Sequence, residues 1–366
     1  MSPGGGSDVR AGRLRIIRDR LHGERLGGLL VSHPPDLLYL SGFTGSSGML
    51  LIEPGLATLF TDFRYREQAE AEISPEVSLE IAPDGLFESL SRRLAELPPG
   101  TRIAFDPATT TVRDRQELGR RCNTAIWDTL EGAVAELRAV KDATEIEKIE
   151  AAVLLAEGAL EALLASVRPG LTEQQIAADL VHALRSAGSG PLPFEPIVAS
   201  GPRSALPHAS PGSREIRAGD LLLLDFGARV DGYCSDLTRV FVVGRSQPWQ
   251  SDLHAAVHEA CRKAIAAAGP EALASDVDGA ARGHLEALGL AEGFGHSTGH
   301  GIGLEVHEAP RIHWRESRPL EVGNVVTIEP GVYLPGRGGI RIEQDVVIEP
   351  GGRRVLGRST TNLMEI

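Results

Sequence analysis

The first 140 residues alternate between short apolar runs and segments whose apolar positions recur at helical spacing. Strands that alternate with helices in this way indicate a small α/β domain. The leader, residues 1–12, is expected to be disordered. The pattern predicts strands at 28–32, 49–53, 57–62 and 102–106, and helices at 14–26, 64–73 and 86–97.

Beyond residue 140 the apolar pattern is first helical and then typical of strands. Apolar residues recur at helical spacing from 146 to 167, and Thr172 and Gln175 form a capping-box pattern that predicts the start of a second helix. Strand patterns dominate from about residue 191 onwards. Two more helices are predicted within this part, at 250–267 and 274–288.

The polar opening of the first long helix is the best candidate for a domain boundary. A chain of 366 residues has room for two domains, because a single core rarely grows beyond about 250–300 residues. We therefore predict an N-terminal domain over 1–138 and a C-terminal domain over 139–366.

Composition and charge narrow the class of protein. The net charge of −13 argues against binding to nucleic acid, which requires Lys and Arg to neutralise phosphates. Cys122, Cys234 and Cys261 are odd in number and widely spaced, which favours a reducing compartment without disulfides. Neither a secretory signal nor an apolar stretch of about 20 residues is visible. We therefore expect a cytoplasmic protein with no membrane partner.

Candidate chemistry first occurs in the segment GDLLLLDFGARVDGYCSDLTRVFVV. Asp231-Gly232 is a two-residue hairpin signal. With these residues as the turn, position 227 faces Asp236, and Asp225 lies diagonal to Asp236 on the same face of the ribbon. Diagonal neighbours across a strand pair lie about 7–8 Å apart, so their side chains can converge on one ion.

A second acidic hairpin is predicted in VVTIEPGVYLPGRGGIRIEQDVVI. Glu329 and Glu343 lie symmetrically about Gly336, which is part of a run of turn-forming residues. With an odd-length loop centred at Gly336, the two glutamates face each other directly. Both lie in strands rich in Val and Ile, where a buried charge is costly unless it is paired.

Four clustered carboxylates need a source of positive charge. Two carboxylates about 5 Å apart repel by roughly 3 kcal/mol at an effective dielectric constant of about 20. Four of them would raise one another's pKa values and tend to protonate. Two divalent cations supply four positive charges against four negative ones. An oxygen-rich site favours Mn²⁺, while Co²⁺, Fe²⁺ and Zn²⁺ compete on intrinsic affinity.

The segment TGHGIGLEVHEAP supplies a candidate fifth ligand. His300 and His307 lie seven residues apart, so the i, i+4 spacing of an HExxH helix is absent. The glycines also lack the third glycine of the dinucleotide fingerprint. A neutral His300 would complete the set of four carboxylates, and its glycine neighbours let backbone and substrate approach closely.

Each of these residues has a simpler interpretation when it is taken alone. Asp225 or Asp236 is then a turn residue, and His300 is a hydrogen-bonded core histidine. The glutamates can mark a strand end or pair with a nearby arginine. The matched parity of the two hairpins, together with the histidine pair, favours the joint interpretation as a metal site.

The motifs together resemble the dinuclear metallopeptidases of the aminopeptidase P and prolidase family. The resemblance rests on LLLLDFG, YCSDLTR, TGHGIGLEVHEAP, TIEPGVY and IRIEQD, and upstream on LLVSHPPDLLYLSGFTGSSG, TDFRYREQA and IVASGPRSALPHA. It covers nearly the whole chain. It implies the α+β class, with a C-terminal pita-bread catalytic domain (a curved antiparallel sheet flanked by helices) and an N-terminal creatinase-like α/β domain.

The resemblance also implies roles for the site residues. His208 and His307 would contact the substrate and stabilise the tetrahedral intermediate, and Glu329 would move a proton to the leaving nitrogen. Asp236 and Glu343 would bridge two metal ions. The full ligand set would be Asp225, Asp236, His300, Glu329 and Glu343.

Two arginines complete the implied site. Arg341, two residues before Glu343, would orient that bridging carboxylate. Arg311 would bind the C-terminal carboxylate of the substrate, as in dipeptide-cleaving relatives. Gln344 departs from the family pattern, in which many relatives carry an acidic residue, but it lies outside the implied ligand set.

The implied function is an Xaa-Pro aminopeptidase, a metal-dependent exopeptidase in which two metal ions activate a hydroxide. An Xaa-Pro dipeptidase (prolidase) is the alternative. A metal-free creatinase-like C–N hydrolase and a non-catalytic peptide-binding module are less favoured, because all five ligand positions are retained. The expected partners are peptides with proline at the second position and, in a homodimer, a second copy of the chain.

Overall fold

The computed structural model describes residues 5–366, which divide into two units. A six-stranded mixed sheet lies at the centre of the N-terminal unit. Its strands are β1 (Gly28–Val31), β2 (Gly48–Ile52), β3 (Ala57–Thr61), β4 (Ser78–Ile81), β5 (Arg102–Phe105) and β6 (Ile126–Thr129). The spatial order is β4-β3-β2-β1-β5-β6, with β1 antiparallel to β2 and parallel to β5. All four predicted strands are present, with ends within about a residue of the prediction.

The helices of this unit differ more from the prediction. They are α1 (Gly5–Gly23), α2 (Pro34–Ser41), α3 (Arg66–Glu72), α4 (Leu86–Ala95), α5 (Val112–Arg121) and α6 (Ala133–Ala139). The expected disorder is wrong for residues 5–12, which form the start of α1, because Arg10 and Ala11 have high helix propensity and extend the helix towards the N-terminus. Residues 1–4 lie outside the described part of the chain. Unit one ends at Leu137 and unit two begins at Arg138.

The C-terminal unit combines four α-helices, described within residues 138–366, with strands that are antiparallel except for the parallel pair β11 and β19. The helices are α7 (Ala143–Leu164), α8 (Glu173–Ser186), α9 (Pro248–Ala267) and α10 (Ala274–Ala287). Thr172 and Gln175 form the predicted capping box at the start of α8. None of the helices described from residue 5 to the C-terminus has the length and apolar character of a membrane span.

Two larger sheets and two short ribbons make up the strands of this unit. The first sheet has the order β19-β11-β8-β7 and the second β13-β12-β14-β17-β18, while β9–β10 and β15–β16 are ribbons. The strands are β7 (Ile197–Ser200), β8 (Leu221–Phe226), β9 (Arg229–Val230), β10 (Tyr233–Cys234), β11 (Leu237–Val242), β12 (Gly299–Gly301), β13 (Glu308–Ile312), β14 (Val325–Ile328), β15 (Gly331–Leu334), β16 (Gly338–Arg341), β17 (Gln344–Glu349), β18 (Gly352–Val355) and β19 (Met364–Glu365).

The apolar core of this unit joins its helices to its strands. Val257 of α9 and Leu285 of α10 belong to one buried cluster with Leu223 of β8, Val326 of β14 and Ile342. Every residue of β8 and of β11 is buried. Acidic residues in or beside these strands are therefore held by rigid, packed elements.

Candidate active site

The first acidic hairpin has the predicted register. Asp225 of β8 pairs with Thr238 of β11, and the same register continued towards the turn sets Asp236 opposite Gly227. Asp231-Gly232 forms the turn, with φ values of 48° and 89°, which are left-handed as a type I′ hairpin requires. Because side chains alternate along a strand, Asp225 and Asp236 lie on the same face of the ribbon.

The second acidic hairpin also has the predicted register. Leu334 pairs with Gly338 across a three-residue turn centred at Gly336, whose φ is 75°. Strands β14 and β17 continue the same register beyond Pro330. Glu329 and Glu343 lie between these two paired segments and face each other, as the symmetry about Gly336 predicts.

His300 is held in the middle of β12 by contacts that only glycine neighbours permit. A Cβ atom on Gly299 would lie 1.9 Å from the carbonyl oxygen of Thr327, and one on Gly301 would lie 2.2 Å from that of Ala309. The backbone N–H of His300 donates to Thr327 Oγ1 at 3.1 Å. The flanking glycines therefore allow the backbones of the adjacent strands to approach closely.

The imidazole of His300 presents one nitrogen to the acidic residues. Nδ1 donates to the carbonyl oxygen of Gly301 at 3.1 Å, so Nε2 carries the free lone pair. Nε2 lies 3.4 Å from Glu329 Oε1 and 3.7 Å from Asp236 Oδ2. Candidate ligand atoms of Asp236, His300 and Glu343 all lie within 4.8 Å of one another. Burial, reinforced by His307, lowers the pKa of His300 to about 4, so the ring is neutral at pH 7.

The acidic side chains destabilise one another's ionised forms. Burial and the charge of Glu343 raise the pKa of Asp236, and burial and the charge of Glu329 raise that of Glu343. Burial raises the pKa of Glu329 to about 7, and the charge of Asp225 adds to this effect although Arg341 opposes it. The buried Oδ1 atom of Asp236 has no hydrogen-bond partner. This donor set fits divalent cations, which supply the missing positive charge.

Arg341 contacts a different carboxylate from the one predicted. Its Nη2 donates to Asp225 rather than to Glu343, and its Nη1 donates to the Tyr333 hydroxyl at 2.6 Å. Glu343 is reached only through Thr238, which accepts from Arg341 Nε at 3.1 Å and donates to Glu343 Oε2 at 2.6 Å. The long arginine side chain extends past its own strand to β8, which a separation of two residues along the sequence does not reveal.

The remaining predicted residues are exposed beside the carboxylates. The ring of His307 lies edge-on to that of His300, with centroids 4.4 Å apart. Arg311 pairs with His300 across β12 and β13, and both burial and the charge of Arg311 lower the pKa of His307. His208 also contributes to the lowered pKa of His307, and the carbonyl oxygen of the preceding Pro207 accepts from Arg341 Nη1 at 3.3 Å.

Three groups at this site were missed from the sequence. His296 Nδ1 donates to Ser297 O at 2.8 Å, so its Nε2 accepts from the Tyr333 hydroxyl at 3.1 Å. Asp345 is fully buried, its Oδ2 accepts from the Asp236 backbone N–H at 3.1 Å, and burial raises its pKa to about 8. Asp345 shares a strand face with Glu343 by parity, and that signal was available in the sequence.

Known proteins resemble this chain along almost all of its length. Residues 147–350 match the sequence model of metallopeptidase family M24, and residues 13–140 match that of the creatinase/prolidase N-terminal domain. An uncharacterised peptidase of Bacillus subtilis is 36% identical over 355 residues, which cover 96% of this chain and 99% of that protein.

Solved structures agree with the fold. An Xaa-Pro dipeptidase from Bacillus anthracis superposes with a TM-score of 0.94 at 33% identity, covering 98% of this chain and 100% of its own. An X-Pro aminopeptidase from Thermotoga maritima superposes with a TM-score of 0.89 at 34% identity, and the match covers 96% of this chain and 100% of that one. The predicted α+β fold, with a creatinase-like N-terminal domain and a pita-bread catalytic domain, is confirmed. The chain is a hydrolase whose family implies divalent metal ions, and it belongs to metallopeptidase family M24.

Proposed function

We propose that the chain hydrolyses the bond between an N-terminal residue and a following proline, as an Xaa-Pro aminopeptidase. The observation that carries this proposal is the convergence of Asp236, His300 and Glu343 within 4.8 Å, where buried acids lack sufficient positive charge. The names of the two similar structures, a dipeptidase and an aminopeptidase that act before proline, support the choice of substrate.

Two divalent cations are part of the proposal, with Mn²⁺ preferred over Co²⁺, Zn²⁺ or Fe²⁺ for an oxygen-rich site. When bound, such cations act as Lewis acids and lower the pKa of water towards neutrality. The residues that would hold the ions are Asp225, Asp236, His300, Glu329 and Glu343.

Glu329 is the best-placed proton carrier. Its carboxylate is partly accessible, so it can exchange a proton with a bound substrate. A prolyl nitrogen has no N–H and leaves as an amine only after it receives a proton. Glu329 would take this proton from the attacking water and deliver it to the nitrogen.

His307 and His208 are assigned to the substrate carbonyl and its developing negative charge. Burial lowers the pKa of His307, so the ring is neutral at pH 7 and retains one N–H to donate. A donor fixed in advance stabilises an oxyanion more effectively than mobile water does. The position of His307 against His300 supports this assignment.

An Xaa-Pro dipeptidase is the second candidate function. Arg311 pairs with His300 across the strands, so its guanidinium is available to the free carboxylate of a dipeptide. Rates on Gly-Pro and on a Gly-Pro-Xaa-Xaa tetrapeptide distinguish the candidates. If the chain is a dipeptidase, Arg311→Ala raises KM for Gly-Pro; a faster rate on the tetrapeptide contradicts this alternative.

Removal of metal tests the proposed chemistry. Dialysis against a chelator is expected to abolish cleavage of Xaa-Pro peptides, and Mn²⁺ is expected to restore it, with metal content measured at each step. Activity that persists after the metal is gone would contradict the proposal. Metal-independent hydrolysis of creatine would favour the creatinase-like alternative, and peptide binding without turnover would favour a binding module.

The proposal also includes a homodimer that acts in the cytoplasm on peptides with proline at the second position. Cys122, Cys234 and Cys261 are free and buried, which is compatible with a reducing compartment. Light scattering on purified protein measures the oligomeric state, and a monomeric mass would contradict the dimer.

A further inference from the structure

One buried carboxylate closes the base of the loop that carries His208. This segment, residues 200–212, is called the His208 loop below. Glu173 is the first residue of α8, and its side chain has a relative exposure of 0%. Its Oε1 accepts from the backbone N–H and the hydroxyl of Ser200, both at 2.8 Å. Its Oε2 accepts from the backbone N–H of Gly212 at 3.0 Å and from Arg203 Nε at 2.9 Å.

Burial of this carboxylate is tolerated because the loop supplies its partners. An ionised carboxylate without water is costly unless it is paired and hydrogen-bonded. All four donors described above belong to the His208 loop, and one of them is cationic. The N-terminus of α8 adds its favourable dipole, and its first N–H groups, of Glu173 and Gln174, bond to the carbonyl oxygens of Arg214 and Gly212. Both ends of the loop are therefore joined at one point.

The tip of the loop is exposed and lies beside the carboxylate site. Leu206 is 49% exposed and His208 is also exposed, whereas the base around Glu173 is buried. Arg203 Nη2 reaches the returning limb of the loop at Ser210 O, 2.6 Å away. Pro207 O accepts from Arg341, which also bonds Asp225. An exposed tip of this kind stays in one position only when its base is fixed.

We propose that Glu173 is a positioning residue for the reaction: it fixes the His208 loop and so holds His208 at the site. The inference rests on the proposed function, because it assigns His208 a part in that reaction. Glu173 is too deeply buried to touch the substrate, so its effect is expected to pass through the His208 loop and mainly through His208. A misplacement of about 1 Å in a group that contacts the substrate can cost 10²-fold in rate.

The Glu173→Gln variant tests this assignment with little change of shape. An amide keeps one acceptor oxygen but presents an NH₂ group to donors, so at least one bond to the loop is lost. We expect kcat/KM for the cleaved Xaa-Pro peptide to fall by about 10–100-fold while metal content stays at the wild-type level. Hydrogen exchange within 200–212 should become faster, and exchange elsewhere in the C-terminal unit should not.

A double-mutant cycle separates positioning from general destabilisation. If Glu173 acts through His208, Glu173→Gln should change kcat/KM less than about twofold in the His208→Ala background. Losses that multiply in the double variant, wild-type kcat/KM in Glu173→Gln, or a loss of metal from that variant would each overturn the inference.

Matched variants control for two other effects: the loss of any buried carboxylate, and failure of the Glu173→Gln variant to fold. Glu53, a buried carboxylate bonded to Arg93 in the N-terminal unit, provides the control: Glu53→Gln should lower thermal stability at most and leave kcat/KM unchanged. If Glu173→Gln does not fold, Arg203→Gln removes one donor from a more accessible position and should give the same pattern more weakly, whereas Arg203→Lys should retain activity.

Failure of this inference is distinct from failure of the proposed function. A wild-type enzyme that cleaves no Xaa-Pro peptide with metal bound would end the proposed function. Unchanged exchange of 200–212 in Glu173→Gln would end the inference without any substrate being present.

Discussion

Replacement of Asp236 by asparagine is expected to stabilise the metal-free protein while it abolishes metal-dependent hydrolysis. The Asp236 carboxylate is buried, its Oδ1 has no hydrogen-bond donor, and its pKa is raised by burial and by Glu343. At the 4.8 Å limit of the cluster and an effective dielectric constant of about 20, one ionised carboxylate pair repels by about 3 kcal/mol. Asparagine keeps the size of the side chain and removes this repulsion.

The expected gain grows as the pH rises, because the raised pKa values of Asp236 and Glu343 delay ionisation of the cluster to higher pH. A gain of about 3 kcal/mol corresponds to a rise of roughly 6–12 °C in the midpoint of thermal unfolding for a unit of this size. The same substitution removes one of the residues that would hold the ions. Mn²⁺ should therefore raise the midpoint of the wild type but not that of the variant, and hydrolysis of Xaa-Pro peptides should fall to background.

Thermal unfolding with chelator and with Mn²⁺, together with metal analysis and a peptide-cleavage assay, measures all of these effects. Asp220, whose carboxylate is paired with Arg214 at 2.7 and 2.9 Å, provides the control, because Asp220→Asn should destabilise the protein with and without metal. If metal-free Asp236→Asn unfolded below the wild type, the charge at position 236 would be stabilising and the reasoning refuted. Normal turnover would remove Asp236 from the ligand set.

Three further predictions concern neighbouring residues. His307→Ala should lower kcat by roughly 10²–10³-fold while two ions stay bound, and a fall in metal content would show instead that the ligand assignment is wrong. In the metal-free protein, Asp345 binds its proton more tightly when folded, with a pKa of about 8 against 3.8. Its contribution to the free energy of unfolding is therefore present at low pH and lost as the pH rises towards 8. Urea titrations should show a loss of about 2 kcal/mol from this group between about pH 6.5 and 8, and Asp345→Asn should make the free energy of unfolding less dependent on pH. Histidines with a pKa lowered to about 4, such as His300, oppose part of this loss below about pH 7.5, because the unfolded ring is still half protonated at about pH 6.5. The Asp345 effect is therefore the difference between the wild type and Asp345→Asn over the same pH range. Gly299→Ala places a Cβ atom 1.9 Å from the Thr327 carbonyl oxygen, so β12 has to move and carries His300 with it. Calorimetry should show that this variant binds Mn²⁺ more weakly than the wild type. Unchanged affinity would show that the strands can separate without cost.

Both hairpins were predictable because a β-ribbon converts sequence separation into spatial position. A two-residue turn at Asp231-Gly232 and an odd-length turn centred at Gly336 leave one register each, and side chains alternate with a period of two. Once the turns are known, the face and partner of every acidic residue follow. The observed pairings of Asp225 with Thr238 and of Leu334 with Gly338 are those that the turns require.

Contacts between separate elements were not predictable in this way. Whether Arg341 bonds Glu343 or Asp225 depends on how β16 lies against β8, and neither turn fixes that placement. The same holds for Glu173, whose donors come from 27 to 39 residues further along the chain. Helix α2 was missed for a local reason, since five of its eight residues, Pro34–Ser41, are buried and no polar face marks a 3.6-residue period.

The charges around the site favour two cations over one. Asp225, Asp236, Glu329 and Glu343 carry four negative charges when ionised, and His300 is neutral. Within the described part of the chain, Arg341 is the only permanent cation that hydrogen-bonds to one of these carboxylates, which leaves a net charge of −4 + 1 = −3. One divalent ion would leave −1, which repels the negative charge that develops on the carbonyl oxygen during amide hydrolysis. Two ions would leave +1, which stabilises that charge, so the electrostatics that make the metal-free site unstable also make the doubly loaded site suited to hydrolysis.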